Sequence, residues 1–337
     1  MPKVSVIMPV YNTELFLGET IESILAQSFS DYEFIIIDDC STDNSLAVIN
    51  SYSDPRIRVY QNDYNKGYVW TLNKLIDLST GQYIARQDSD DISLVNRLEK
   101  QIQYLDEHID IGVCGTNTQI IGLQRRLSTL PLNDAYIRAY MVISTPFSHP
   151  TVMMRKSLFD ASIFEKYDVS YCPAEDYALW FELSKKTKLA NIQDRLLQYR
   201  VHENSVTQLK KQIQTENVKT IRKNILAYTL SLDISDDDNN LLASISNQAY
   251  FHSTQLRSIE TLFSRIIDAN RSKRYYPEEV LYNVLFYFWT KVCMRAKDIS
   301  LLSFLRLYCF SKLFSVSGIY YILSTKGIWN IYYNHTN

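Results

Sequence analysis

Short β-branched runs alternate with helix-period stretches through the first hundred residues, and this alternation restricts the fold more than any other feature of the chain. The runs are Val4 to Pro9, Tyr32 to Asp38, Ile57 to Gln61 and Tyr83 to Gln87. The helical stretches are Glu14 to Gln27, Asp43 to Tyr52, Val69 to Leu78 and Val95 to Glu107. A repeated β-α order builds an α/β sheet that is mostly parallel, with helices on its faces. On such a sheet the chemistry is expected in a cleft at the carboxyl ends of the strands.

Past Ile111 the rhythm changes. A strand is predicted over Gly112 to Ile121, a polar turn over Gln124 to Ser128, a short helix over Asp134 to Val142, a helix over Glu175 to Lys186 and a strand over Leu196 to Val201. From Gln208 the pattern is almost wholly helical, with polar breaks at Asp236 to Asn240 and Arg271 to Pro277. The division read from this is an α/β domain over residues 1–215 and a helical region over 216–337.

A chain of 337 residues, 46% hydrophobic and 21% charged, buries a core and is not disordered. Its net charge of −2 carries no excess that would suit nucleic acid. The charge is unevenly spread: from Arg271 onward nine Lys/Arg stand against three Asp/Glu. The five cysteines (Cys40, Cys114, Cys172, Cys293 and Cys309) form no C-x-x-C pair, so no zinc or redox motif is implied. They suit a reducing cytoplasm, and the N-terminus lacks a secretory apolar core.

The last 60 residues hold Leu285 to Trp289 and Ile319 to Leu323, but their longest uncharged stretches are 11 and 13 residues. A spanning helix needs about 20. Aromatic faces interleaved with Lys291, Arg295, Lys297, Arg306 and Lys312 match helices lying on an anionic membrane surface. A helical subdomain with a solvated basic face fits the same pattern.

Three acidic clusters follow strands or open helices. Pro9-Val-Tyr-Asn12 and Asp38-Asp-Cys-Ser-Thr-Asp43 end the first two strands. An acid there can accept the N–H of a pyrimidine ring and Tyr11 can stack on it, although Ser41 and Asp43 also suit ordinary helix capping. Asp88-Ser-Asp-Asp91 follows Tyr83 to Gln87. Residues two apart face one way at a strand end, so Asp88 and Asp90 converge, a hard-oxygen set suited to Mg²⁺ or Mn²⁺ held with phosphates. The alternative is that Asp91 caps a helix beginning near Leu94. Glu175-Asp176 opens a helix, where acids favour the dipole and a carboxylate within reach can also act as a general base. Arg200 and His202 share one side of a strand and can approach a diphosphate or its metal.

In this order the clusters resemble the inverting nucleotide-sugar glycosyltransferases of family 2, with the GT-A fold. The resemblance covers roughly residues 3 to 207. It rests on Val4-Ser-Val-Ile-Met-Pro-Val-Tyr-Asn12, Ile21 to Phe29, Asp38 to Asp43, Asn65-Lys-Gly67, Asp88 to Asp91, Ala174-Glu-Asp176 and the Arg200/His202 segment. Tyr83 to Ile92, His149 to Met154 and Ala174 to Trp180 look more narrowly like bacterial enzymes that build lipooligosaccharide, O-antigen and capsule repeats. The resemblance implies that Pro9, Tyr11 and Asp39 contact the base, that Asn65, Gly67, Asp88, Glu175 and Arg200 line the nucleotide-sugar site, that Asp90 and His202 bind the metal, and that Asp176 is the catalytic base. Two departures stand out: Cys40 occupies a position where Gly is common, which matters if that position takes positive φ, and Tyr68 to Thr71 replaces small residues.

The implied activity is transfer of one hexose or N-acetylhexosamine from a UDP-sugar to a glycan or lipid-linked acceptor at the inner face of the cytoplasmic membrane, with inversion and Mg²⁺ or Mn²⁺. A dTDP-sugar donor, or a non-catalytic sugar- or lipid-binding scaffold on the same fold, are the alternatives. A dinucleotide oxidoreductase is disfavoured by the missing G-x-G-x-x-G. A processive synthase is disfavoured by the absence of spanning stretches and of Gln-x-x-Arg-Trp.

Overall fold

The computed structural model describes residues 1–160, 166–203, 209–247 and 249–297. The expectations placed on Arg306, Lys312 and Ile319 to Leu323 lie outside the described residues. The chain divides into two compact units, Met1–Leu132 with Phe147–Leu209, and Asn133–Pro146 with Lys210 onward. The segment 133–146, read from the sequence as part of the first domain, therefore groups with the second unit.

The first unit begins with β1 (Val4–Val10), α1 (Glu14–Leu25), β2 (Tyr32–Asp38), α2 (Ser45–Asn50), β3 (Ile57–Gln61), α3 (Tyr68–Leu78) and β4 (Tyr83–Arg86). These four strands are parallel, in the order β3-β2-β1-β4. All seven residues of β1 and of β2 are buried. Near-continuous apolar runs such as Val4-Ser-Val-Ile-Met and Phe34-Ile-Ile-Ile are what a strand covered on both faces requires. Leu17, Ile21 and Ile24 of α1 close one of those faces.

The second half of the sheet is mixed. It contains β5 (Ile92–Ser93), β6 (Ile111–Gly122), β7 (Arg126–Leu127), β8 (Met153–Arg155) and β9 (Lys188–Val201), with α4 (Arg97–Glu107) and α6 (Glu175–Ser184) among them. The order continues β4-β8-β6-β9-β5, and β7 pairs with the end of β6. β8 lies antiparallel between β4 and β6, whereas β6 and β9 are parallel. The long β9 extends the strand expected at Leu196 to Val201 back to Lys188, and the polar turn expected at Gln124 to Ser128 holds the short β7.

The second unit contains α5 (Asp134–Tyr140), α7 (Lys211–Leu230), α8 (Asp236–Ser246), β10 (Phe251–His252), α9 (Ser253–Lys273), α10 (Glu278–Met294) and β11 (Ala296–Lys297). The break expected at Asp236 to Asn240 is instead the first turn of α8. Ser235 caps it by accepting a hydrogen bond from the Asp238 N–H at 3.1 Å, and three aspartates complement the dipole. The chain turns earlier, at Ser231, where φ is +49°.

Leu285, Phe286, Tyr287, Phe288 and Trp289 are all buried within α10, together with Leu256, Phe263 and Ile266 of α9. This part of the tail, read as a surface-lying aromatic face, is core. A helix apolar on every side is one that other elements surround. No described helix is long and apolar enough to cross a membrane.

Candidate active site

The carboxyl ends of β1 and β2 are stitched together by their own polar side chains. Asn12 Oδ1 accepts from the Thr42 N–H at 2.8 Å, and Ser41 Oγ accepts from the Asn12 N–H at 3.0 Å. Asp43 accepts from the Ser45 N–H at 2.9 Å and from the Glu14 N–H, at the head of α1, at 3.1 Å. Glu14 in turn accepts from both nitrogens of Asn44. Asp43 thus satisfies orphan donors at two helix starts, which a capping reading confined to its own helix misses. Tyr11 projects from this turn 46% exposed, while Pro9 is buried in β1.

Asp39 is buried, and its carboxylate holds the β3-α3 loop. Oδ1 accepts from Asn62 Nδ2 at 2.7 Å and from the Lys66 N–H at 2.8 Å; Oδ2 accepts from the Gly67 N–H at 2.9 Å. Asn65 also accepts from the Gly67 N–H, at 3.1 Å. Gly67 has φ +90°, a conformation a side chain resists, directly before α3. Cys40 has φ +62°, so the position where the family commonly has Gly does take the left-handed region.

β4 delivers the second acidic cluster. Gln87 is fully buried and its Nε2 donates to the carbonyls of Asp88 and Asp91, both at 3.0 Å, which closes the turn from behind. Asp88, Asp90 and Asp91 each offer an oxygen within 4.8 Å of the others. Their surroundings differ. The Arg86 guanidinium grips both oxygens of Asp88. Asp90 Oδ2 lies 2.8 Å from His202 Nε2. Asp91 is buried; its Oδ1 accepts from the Arg200 N–H at 2.7 Å, whereas Oδ2 has no hydrogen-bond partner. Burial, then the charges of Asp90 and Asp88, push the Asp91 carboxyl well above the usual range. It does not cap a helix near Leu94, since α4 starts at Arg97.

Three carboxylates that each bring an oxygen to one volume, together with the buried and unpartnered Oδ2 of Asp91, fit a hard divalent cation such as Mg²⁺ or Mn²⁺. His202 reaches this group through Asp90 and is not one of the three. Arg200 donates from Nε to the Asp90 carbonyl at 2.9 Å, pairs with Glu19 and lies over the Phe16 ring at 4.7 Å. The structure therefore brings Asp90, Arg200 and His202 together.

The third cluster opens α6. Glu175 is buried, with Oε2 unpartnered, and Asp176 beside it is half-buried. Burial, aided by the neighbouring Asp176 charge, pushes Glu175 up to about 7. Burial also raises Asp176, opposed by the Tyr177 N–H and by Arg86. Across from them His149 Nε2 lies 2.7 Å from the Tyr167 hydroxyl, with its ring against Trp180 and Tyr68. Burial and the Arg86 charge hold His149 neutral.

Several residues of this site received no role from the sequence: Arg86, Tyr68, His149, Tyr167 and the fully buried Arg97. Arg97 donates to Gln87 Oε1, Ser93 Oγ and the Arg86 carbonyl, and burial lowers it to about 9. Arg86 carried a readable signal, since it stands two residues before Asp88 on a strand.

A parallel-to-mixed sheet with acidic turns at its strand ends and an acid pair on a facing helix defines a GT-A sugar-transfer enzyme. A profile described as "Glycosyl transferase family 2" matches residues 5–167. An uncharacterized glycosyltransferase of Haemophilus influenzae is 33% identical over 267 residues, 74% of this chain and 81% of that protein. The chain belongs to glycosyltransferase family 2. The Escherichia coli UDP-Glc:alpha-D-GlcNAc-diphosphoundecaprenol beta-1,3-glucosyltransferase WfgD is 28% identical, over 62% of this chain and 83% of its own. Among solved structures, S. aureus TarS 1-349 in complex with UDP-GlcNAc superposes with a TM-score of 0.56 at 21% identity, covering 86% of this chain and 87% of that one.

Proposed function

We propose that the chain transfers a single hexose or N-acetylhexosamine from a UDP-sugar to an acceptor glycan hydroxyl, with inversion, in the synthesis of a cell-surface polysaccharide or lipooligosaccharide. The observation that carries this reading is the presence of two unlike acidic clusters: three convergent carboxylates at Asp88, Asp90 and Asp91, and a desolvated carboxylate at Asp176.

The uracil would lie on Tyr11, with its ring N–H directed at Asp39. A carboxylate offers about four lone-pair sites, and the loop uses three of those on Asp39, so one acceptor position remains on Oδ2. Pro9, Asn65 and Gly67 shape the wall of that pocket. Asp88 faces the ribose, while Glu175 and Arg200 flank the sugar and the diphosphate. Mg²⁺ or Mn²⁺ held by Asp90 with its neighbours, and oriented through His202, would offset charge growing on the departing UDP. As the acceptor oxygen bonds to the anomeric carbon, the bond from that carbon to the β-phosphate oxygen breaks on the opposite face. The hydroxyl proton passes to Asp176. Desolvation suits Asp176 to this task, since a base works best with its proton affinity drawn toward neutral pH.

A lipid-linked acceptor is supported by the diphosphoundecaprenol named in the activity of WfgD. It would place the enzyme on the inner face of the cytoplasmic membrane, with any contact made by the basic segment beyond Lys297, because the aromatic run of α10 is committed to core. A truncation that tests this must begin after Lys297. One beginning at Arg271 would remove α10 and unfold the helical unit.

The decisive assay measures UDP release from each common UDP-sugar with and without Mn²⁺. Asp176→Asn should lower kcat by roughly 10²-fold or more. A near-wild-type Asp176→Asn enzyme would falsify the assignment of the base.

A further inference from the structure

A series of direct contacts through uncharged rings joins the two acidic clusters. Arg86, whose fork holds Asp88, also donates to the Tyr68 hydroxyl. The Tyr68 ring meets His149 edge-on with centroids 6.4 Å apart, and His149 meets Trp180 at 5.8 Å. Trp180 lies one turn after Asp176 on α6. Beside His149 stands Tyr167, 3% exposed, its hydroxyl 2.7 Å from Nε2. Helix α3 fixes both tyrosines. It begins with Tyr68, and its Asn73 brackets the Tyr167 backbone, donating to the carbonyl at 2.8 Å and accepting from the N–H at 3.0 Å.

Two hydrogens on this strip are left to give. A guanidinium has no acceptor, so the Tyr68 hydroxyl, which accepts from Arg86, keeps its own hydrogen. Among the described residues the Tyr167 hydroxyl has one partner, His149, and a buried hydroxyl donates to the acceptor it has. The neutral imidazole then carries its hydrogen on Nδ1, which bonds to none of the described residues. Tyr68 and His149 are half-buried, not sealed. We propose that these two side chains select the sugar that is transferred, each donating to one of its oxygens, with Tyr167 and Asn73 holding His149 in place. This rests on the reading of the chain as a UDP-sugar transferase with Asp176 as the base. In that reaction the bond to the β-phosphate oxygen breaks beside the cation cluster while the acceptor oxygen attacks from the side of Asp176, so the sugar ring lies along the contacts that join the two. Uncharged donors suit the place, because a cation there would pair with the carboxylates at either end. They also discriminate: an epimer that turns its hydroxyl away leaves a half-buried donor unpaired.

The test is calorimetry on the full chain with Mn²⁺ and no acceptor, using UDP, UDP-glucose, UDP-galactose and the two N-acetyl counterparts. His149→Gln keeps a polar end for Tyr167 and loses the Nδ1 donor; His149→Asn keeps an N–H near the place of Nδ1 and loses the bond to Tyr167. In His149→Gln and Tyr68→Phe the UDP-sugar that the wild type binds best should lose at least about fivefold against its epimer, while UDP itself stays within about twofold. His149→Asn should keep the wild-type order of preference. An order kept by His149→Gln and lost by His149→Asn marks a packing role and overturns the proposal. So does a loss that UDP shares in full, or an unchanged preference in Tyr68→Phe, which keeps its ring and remains decisive if the His149 variants do not fold. The wild type separates the two levels of inference: if it binds no UDP-sugar, the donor reading falls and the proposal with it, whereas a wild type with a preference that the variants retain sinks the proposal alone.

Discussion

Glu175→Gln isolates the cost of placing a carboxylate in the buried wall of the active site. The side chain is 4% exposed, one oxygen has no partner, and its nearest charged neighbour is another acid. Its proton affinity rises from an ordinary 4.5 to about 7 in the folded protein. Below about pH 4.5 the carboxyl is protonated in both the folded and unfolded chain, and nothing is lost. Between there and pH 7 the unfolded chain releases the proton while the folded protein retains it, so stability falls as pH rises and then levels off. At about 1.4 kcal/mol per pH unit, the loss approaches roughly 3 kcal/mol. The amide of the variant carries its own burial cost, but that cost does not vary with pH and drops out of the comparison. Urea unfolding followed by tryptophan fluorescence, to which Trp180 on the same helix contributes, should show the variant gaining about 3 kcal/mol on the wild type between pH 4 and pH 8. Parallel pH dependence in the two proteins would refute the reasoning.

Three further outcomes follow from the same geometry. Asp90→Asn should weaken Mn²⁺-dependent UDP binding by about tenfold or more in calorimetry, since the charge facing Asp88 and Asp91 is removed while the shape is kept. Cys40→Gly should raise the unfolding free energy by about 1 kcal/mol: relief of the φ +62° strain, about 1–2 kcal/mol, outweighs the added freedom of the unfolded glycine, and the Sγ contact with the Asp63 carbonyl at 3.9 Å is weak. Ser235→Ala should cost about 1 kcal/mol in urea unfolding, with activity retained, because it removes the cap of α8 and nothing at the sheet edge.

Much of the first unit was legible because burial on both faces of a parallel strand leaves an unmistakable apolar run, as in Val4 to Val10 and Tyr32 to Asp38. The ends of elements were less so: α2 and α4 begin two residues later than periodicity indicates. The first half of β9 was hidden by Asn191, Gln193, Asp194 and Arg195. A polar run of that kind survives in a sheet because neighbouring backbone satisfies it, as when Asn191 Nδ2 donates to the Pro131 carbonyl at 2.8 Å. Three successive aspartates at 236–238 read as a loop, yet acids are what a helix start favours. The aromatic run of α10 read as a surface because part of what covers it, Ala139 and Tyr140 of α5, is distant in sequence.

The acidic residues were the easiest part of the site to find and their differences the hardest, for a physical reason. Spacing along a strand tells which carboxylates converge, but the state of each depends on groups that other elements bring to it. Asp88 is matched by Arg86 from two residues earlier, Asp90 by His202 from beyond β9, and Asp91 by one backbone N–H. Glu175 has a repelling neighbour and an open oxygen. Four carboxylates of similar intrinsic acidity are thereby driven apart in proton affinity or in orientation, and such divergence is what allows one site to hold a cation at one edge and accept a proton at another. Substitutions that look alike on paper, Asp to Asn at 88, 90, 91 and 176, should therefore separate in the laboratory: the first three should act on Mn²⁺-dependent UDP binding in calorimetry, and the last on kcat.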